Sequence, residues 1–317
     1  MIKLLLVGLG VLLALWIGAG FAVVAAAGPF KPDGTFVDIG GRKLRLVCKG
    51  PKSALPVVWM EAGAWGLAAD FAAVQQKLAA RGLRSCAYDR AGLGFSDPGP
   101  NPRDSAAIVA DLEKLVAASG ERGPFILMGH SMGGQHVRLF AGRNPDKVAG
   151  LVLLEATTPE MTSDPRAERF LSRVRTVGRI TAVAGSLGMI RIAYGLGDRI
   201  GLPPQGSAEK KQAFVSGRHT RTAADEVLAW TQGSIQAGAV SLDPTWPVAV
   251  VTAGDAARMA EWNIARRAPE RASRAGWYEN VPDAEHATLL GLTHADAVVR
   301  AVDHVLKALP RPVLETP

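Results

Sequence analysis

From Gly34 onward, short apolar runs alternate with longer segments in which apolar side chains recur every three or four positions. Residues 35–39 and 42–48 predict two strands around a tight turn at Gly40-Gly41. In the second, Leu44, Leu46 and Cys48 alternate with Lys43, Arg45 and Val47, the period of a half-buried strand. Residues 57–60, 83–88, 125–128, 148–154, 248–252 and 277–281 are further short runs of the kind that fill the middle of a sheet. Helical spacing covers 70–81, 105–118, 135–143, 256–267 and 295–309. Strands joined through helices of this length need parallel crossovers, so the fold class is α/β.

Two regions break the alternation. Residues 157–242 carry helix and loop patterns with no strand, including an apolar run from Ile180 to Leu196 interrupted only by Arg191, and are expected to form a helical cap inserted after the sixth strand. At the other end, residues 4–28 hold no charge at all. Such a length spans a bilayer and exceeds the 7–15 apolar residues of a signal-peptide core, which favours a transmembrane anchor over a cleaved signal. Ala25-Ala26-Ala27 supplies an A-x-A cleavage site for the alternative of secretion. Lys3 precedes the stretch and Lys31 follows it, which gives no clean orientation. With the N-terminus inside, both readings put the folded domain beyond the cytoplasm.

The chain thus divides into an N-terminal segment, 1–28, and one domain, 29–317, and the 48% hydrophobic content of the 317 residues suffices for a substantial core. The net charge of +7 comes from scattered Lys and Arg rather than basic runs, so it argues for an anionic membrane surface nearby and against nucleic acid. There are two cysteines, Cys48 and Cys86, each in a strand-like run. In an exported chain they read as one disulfide, in a cytosolic chain as two packed thiols.

Candidate chemistry centres on Gly129-His130-Ser131-Met132-Gly133. An apolar strand precedes it and a helix follows, so Ser131 sits on a strand-to-helix bend that needs small residues two places to either side. A serine hydroxyl becomes an effective nucleophile when a base takes its proton. Of six histidines, His130 adjoins Ser131 and reads as packing, while His136, His219 and His304 fall within the elbow helix, the cap and the last helix. His286 and His294 remain, and His286 lies five residues past the last strand. The third member, an acid, is to come from another strand end, Glu155 or Asp255.

These motifs resemble those of the α/β-hydrolase superfamily over essentially everything after residue 34. The matching residues are the loop after the third strand, Asp89-Arg90-x-Gly92-x-Gly94-x-Ser96 after the fourth, Gly129-His130-Ser131-Met132-Gly133-Gly134 after the fifth, and the late histidine loop. The resemblance implies a mostly parallel eight-stranded sheet with helices on both faces and the second and fourth strands adjacent, which would bring Cys48 beside Cys86. It implies His286 as the base. For the acid, the usual family place after the seventh strand offers Asp255 directly behind Gly254, whereas the related haloalkane dehalogenases show a Glu ending the sixth strand. Glu155 occupies that place and is preferred. The oxyanion donors would be the N–H groups of Met132 and Ala64, with Trp65 lining the acyl pocket. The Asp89-Arg90 pair is expected to brace this loop. A serine at the elbow argues against dehalogenase or epoxide-hydrolase chemistry, where the family uses Asp.

The expected activity is that of an esterase- or lipase-type serine hydrolase, cleaving a small-molecule or lipid ester through an acyl-enzyme. Acyl transfer, amide cleavage and a non-catalytic membrane-anchored binding protein are the alternatives. No metal or organic cofactor is implied, since the sequence has no Cys/His ligand cluster and its glycine-rich loops lack a P-loop lysine.

Overall fold

The computed structural model describes residues 1–162 and 165–309. Eight strands, β1 (Thr35–Asp38), β2 (Lys43–Lys49), β3 (Val58–Glu61), β4 (Ser85–Tyr88), β5 (Phe125–His130), β6 (Val148–Leu154), β7 (Val248–Ala253) and β8 (Gly276–Val281), form one sheet in the order β1-β2-β4-β3-β5-β6-β7-β8. The β1/β2 and β2/β4 pairs are antiparallel and every other pair is parallel.

Among the described residues, twelve α-helices accompany it. The N-terminal α1 (Ile2–Ala26) stands apart from the sheet. Crossovers are made by α2 (Ala72–Ala80), α3 (Ser105–Ala118) and α4 (Gly133–Arg143). Between β6 and β7 come α5 (Pro159–Thr162), α6 (Pro165–Ser186), α7 (Pro204–Phe214), α8 (Gly217–Leu228) and α9 (Trp230–Gly238), with a 3-10 segment, Met189–Leu196, after α6. α10 (Ala260–Arg266) and α11 (Ala268–Ala272) lead to β8, and α12 (Ala295–Ala308) follows it.

The period of two along each strand divides the core between the sheet's faces. Val58, Met60, Ile126 and Met128 pack with Val74 and Leu78 of α2 and Val298 and Val302 of α12. Trp59, Phe125, Leu127 and Leu151 point the other way, onto Leu112 of α3 and Phe140 of α4. Burial on both faces is why these strands read as unbroken apolar runs. The antiparallel β2/β4 register sets Cys48 opposite Cys86, and the two are joined by a disulfide.

β3, with β4 on one side and β5 on the other, is where the crossovers reverse direction. In such sheets ligands bind beyond the carboxyl ends of the strands at that point.

Candidate active site

Three non-glycine residues among those described have positive φ: Trp65 at 54°, Ser131 at 53° and Glu155 at 46°. All three lie just past the carboxyl ends of β3, β5 and β6. An L-residue held there is strained by about 1–3 kcal/mol, and such strain concentrates where the fold fixes a side chain for use. At the elbow, the Ser131 N–H donates to the Leu154 carbonyl, while the Ser131 carbonyl accepts from Gly134 and Thr157. A Cβ on Gly133 would overlap the Glu61 carbonyl oxygen, and one on Gly129 would come within 2.9 Å of the Gly133 oxygen. The two glycines are demanded by close approach.

Glu155 turns back under the sheet edge and is 4% exposed. Its Oε1 accepts the Ala253 N–H at 3.0 Å, and its Oε2 lies 3.2 Å from His286 Nδ1 and 3.0 Å from an Arg266 Nη. Burial alone would push this carboxyl up, but the His286 hydrogen bond, the Arg266 charge and the Ala253 N–H together hold it below the usual carboxylate range. With the carboxylate accepting at Nδ1, the imidazole carries its proton there and leaves Nε2 as the free, basic nitrogen.

Asp255, the alternative acid, is elsewhere. β7 ends at Ala253, Gly254 turns the chain at φ 79°, and the half-exposed Asp255 carboxylate accepts the Ala257 and Arg258 N–H groups and pairs with the Arg258 side chain. It is a turn carboxylate facing solvent.

Ser131, Glu155 and His286 open on one cavity of about 460 Å³. Its walls are mainly apolar: Met161, Leu171 and Trp230 from the β6–β7 insertion, and Met259 and Trp262 from the β7–β8 connection. Phe170 stands edge-on to both Trp230 and Trp262, with ring centroids 6.4 and 6.1 Å away. No hydrogen bond joins Ser131 Oγ to His286 among the described residues, and the imidazole is half-exposed to the cavity.

The loop after β3 passes the elbow so closely that a Cβ on Gly63 would come within 2.8 Å of Ser131 Cβ. Ala64 and Met132 share a small apolar cluster, and neither N–H donates to a protein acceptor among the described residues. Arg90 holds the loop in place: its guanidinium donates to the Ala62 and Gly63 carbonyls at 2.7 and 2.8 Å and pairs with Glu61 and Glu226, all of it buried. Burial would weaken its charge, but the Glu226 and Glu61 carboxylates more than offset that. Asp89 accepts the Ala68 and Phe95 N–H groups, fixing both flanking loops. The brace anticipated for this pair is present.

Trp65 packs against the cluster of Met132, Leu171 and Trp230 beside the Ser131 cavity. The left-handed turn at this residue sends its indole to Gly178 of α6, and it walls a separate apolar cavity of about 220 Å³ with Val177, Ile190 and Phe214.

Two contacts go beyond the sequence reading. His130 is buried, its Nε2–H donates to the His286 carbonyl at 3.0 Å, and its ring lies against that of His286. Burial, with the neighbouring His286, pushes its pKa down to about 3, so it is a neutral prop for the histidine loop. Arg266, reaching Glu155 from the end of α10, has no local sequence signal, since a cation near a helix C-terminus is ordinary.

A family model described as the alpha/beta hydrolase fold matches residues 60–182. Over those residues the chain resembles α/β hydrolases, and its eight-stranded sheet has the α/β-hydrolase fold. An uncharacterised protein of Schizosaccharomyces pombe is 24% identical over 227 residues, covering 70% of this chain and 41% of that protein. A non-heme chloroperoxidase of Streptomyces lividans is 35% identical over 130 residues, 40% of this chain and 46% of that one. The chain therefore spans less than half the length of these curated relatives. Among solved structures, the enol-lactonase of Burkholderia xenovorans superposes with a TM-score of 0.62 at 18% identity, covering 86% of this chain and 100% of that one, a likeness of fold.

Proposed function

We propose that this protein is a serine hydrolase that cleaves a lipophilic carboxylic ester through an acyl-enzyme. The observation that carries the reading is the convergence of Ser131, His286 and the His286-bound Glu155, from three separate strand ends, on one apolar cavity. Ser131 Oγ attacks the ester carbonyl as its proton passes to His286 Nε2, and Glu155 stabilises the imidazolium. The oxyanion is held by the Met132 and Ala64 N–H groups. Collapse breaks the C–O bond, the departing alkoxide takes the proton from His286, and the acyl group stays on Ser131. Water then attacks with His286 again as base, releasing the acid and restoring the hydroxyl.

The apolar walls favour a substrate with a hydrocarbon acyl group, and the β6–β7 helices act as its cap. α1, with a mean hydropathy of 2.4 over its most apolar stretch and 6% of that stretch buried, is read as the membrane anchor. A fluorophosphonate probe applied to the full-length protein tests the assignment. The native chain should be labelled and Ser131→Ala should not; labelling of both, or of neither, overturns the reading.

A further inference from the structure

The C-terminal half of α1 is packed against the insertion. Trp16 Nε1–H donates to the Met189 carbonyl at 2.9 Å, and the Arg191 guanidinium lies 3.8 Å over the Phe21 ring. Gly20, the buried residue of α1, sits where a Cβ would approach Arg191 Cβ to 2.9 Å. α1 is about 37 Å long, against a hydrocarbon thickness of about 30 Å. If it spans the bilayer, the 3-10 segment Met189–Leu196, which touches α1 between Trp16 and Phe21, about 8–15 Å short of its C-terminal end, lies in the outer layer of the bilayer on that side.

The preceding helix presents an unusual outer face there. Val177, Ile180 and Val183 on one side of α6, and Leu187 just past its end, spaced 3, 3 and 4 apart, are each between 53% and 63% exposed, and Leu196 beyond them is 68% exposed. The same face continues backwards at i−4 spacing through Arg173 and Arg169, both exposed. Exposed aliphatic residues next to a membrane helix, followed along the same face by cations, match an interfacial helix in an anionic bilayer.

We infer that the C-terminal half of α6 and the 3-10 segment after it form a docking face that lies in the interfacial layer of the bilayer crossed by α1. α6 also supplies Phe170 and Leu171 to the Ser131 cavity, so the face sets the side from which a lipid ester would arrive. This last point rests on the hydrolase reading; the docking itself does not.

The test uses the full-length chain in vesicles of phosphatidylcholine and phosphatidylglycerol, with an environment-sensitive nitrobenzoxadiazole label on Ile180→Cys and, as control at the opposite sheet edge, on Asp146→Cys. The label at 180 should emit to the blue of that at 146 and be quenched by nitroxides carried high on lipid acyl chains. Equal, unquenched emission at both sites overturns the docking. So does a blue shift at 180 that ignores the nitroxides and grows with protein density, because a second copy would then cover the face. The double variant Ile180→Glu/Val183→Glu should lose lipid quenching at a label on Leu187→Cys and about tenfold of its activity on a bilayer-borne ester, while cleaving a short water-soluble ester at the native rate. If depth is as expected but the native protein cleaves neither ester, the hydrolase reading fails and the docking stands.

Discussion

The Glu155 carboxylate holds three partners at once, and Oε2 is shared between His286 and Arg266. Arg266 keeps the acid charged, while His286 is oriented by it. Glu155→Gln keeps the shape and removes the charge that stabilises the imidazolium, so kcat should fall by about 10²–10⁴ with folding intact. Asp255→Asn, altering an exposed turn, should change kcat less than about twofold. Ester hydrolysis by the two purified variants, with circular dichroism as the folding control, checks both. The outcome that would reverse the assignment is loss in Asp255→Asn alone.

At the scale of elements, the insertion is tied to the sheet edge by charge. Glu226 of α8 reaches Arg90, which in turn grips the Ala62 and Gly63 carbonyls beside the elbow. Removing one partner of a buried pair costs about 3–5 kcal/mol. Glu226→Gln should therefore lower stability by about 3 kcal/mol in denaturant titration and reduce kcat, because the loop that carries Ala64 loses its clamp. Unchanged stability would show that Glu61 alone neutralises Arg90.

The strands and crossover helices were legible in the sequence because burial on both sheet faces writes continuous apolar runs. The elbow was legible because close packing admits glycine alone at 129 and 133. The choice between Glu155 and Asp255 was not, since both end neighbouring strands and what separates them is backbone direction, φ 46° at Glu155 against an outward turn after Gly254. His130 and Arg266 gain their meaning from contacts 156 and 111 positions away in the chain, which no local pattern records.

For the whole molecule, stability is linked to pH through buried histidines. His219 of α8 accepts the Gly94 N–H at Nδ1, and burial, the nearby Lys210 and Arg90 charges opposing protonation as well, pushes its pKa down to about 3. His130 behaves alike. An unfolded chain protonates these imidazoles below about 6.5, so the unfolded state binds more protons and stability falls as the pH drops from about 6.5 towards 3. Each contributes about 1.4 kcal/mol per pH unit in that window. Replacing His219 with Gln should flatten the decline between pH 6 and pH 5 by that amount, read as the difference between native and variant unfolding free energies; an unaltered slope would mean that His219 is already protonated in the fold.

The central claim is that Ser131 becomes acylated. Rapid-quench mass spectrometry of the full-length protein with a long-chain p-nitrophenyl ester addresses it directly. The account predicts a burst approaching one nitrophenolate per chain and an acyl adduct on the peptide containing Gly129 to Gly133, lost in Ser131→Ala. Steady turnover with neither burst nor adduct, retained in Ser131→Ala, would contradict it.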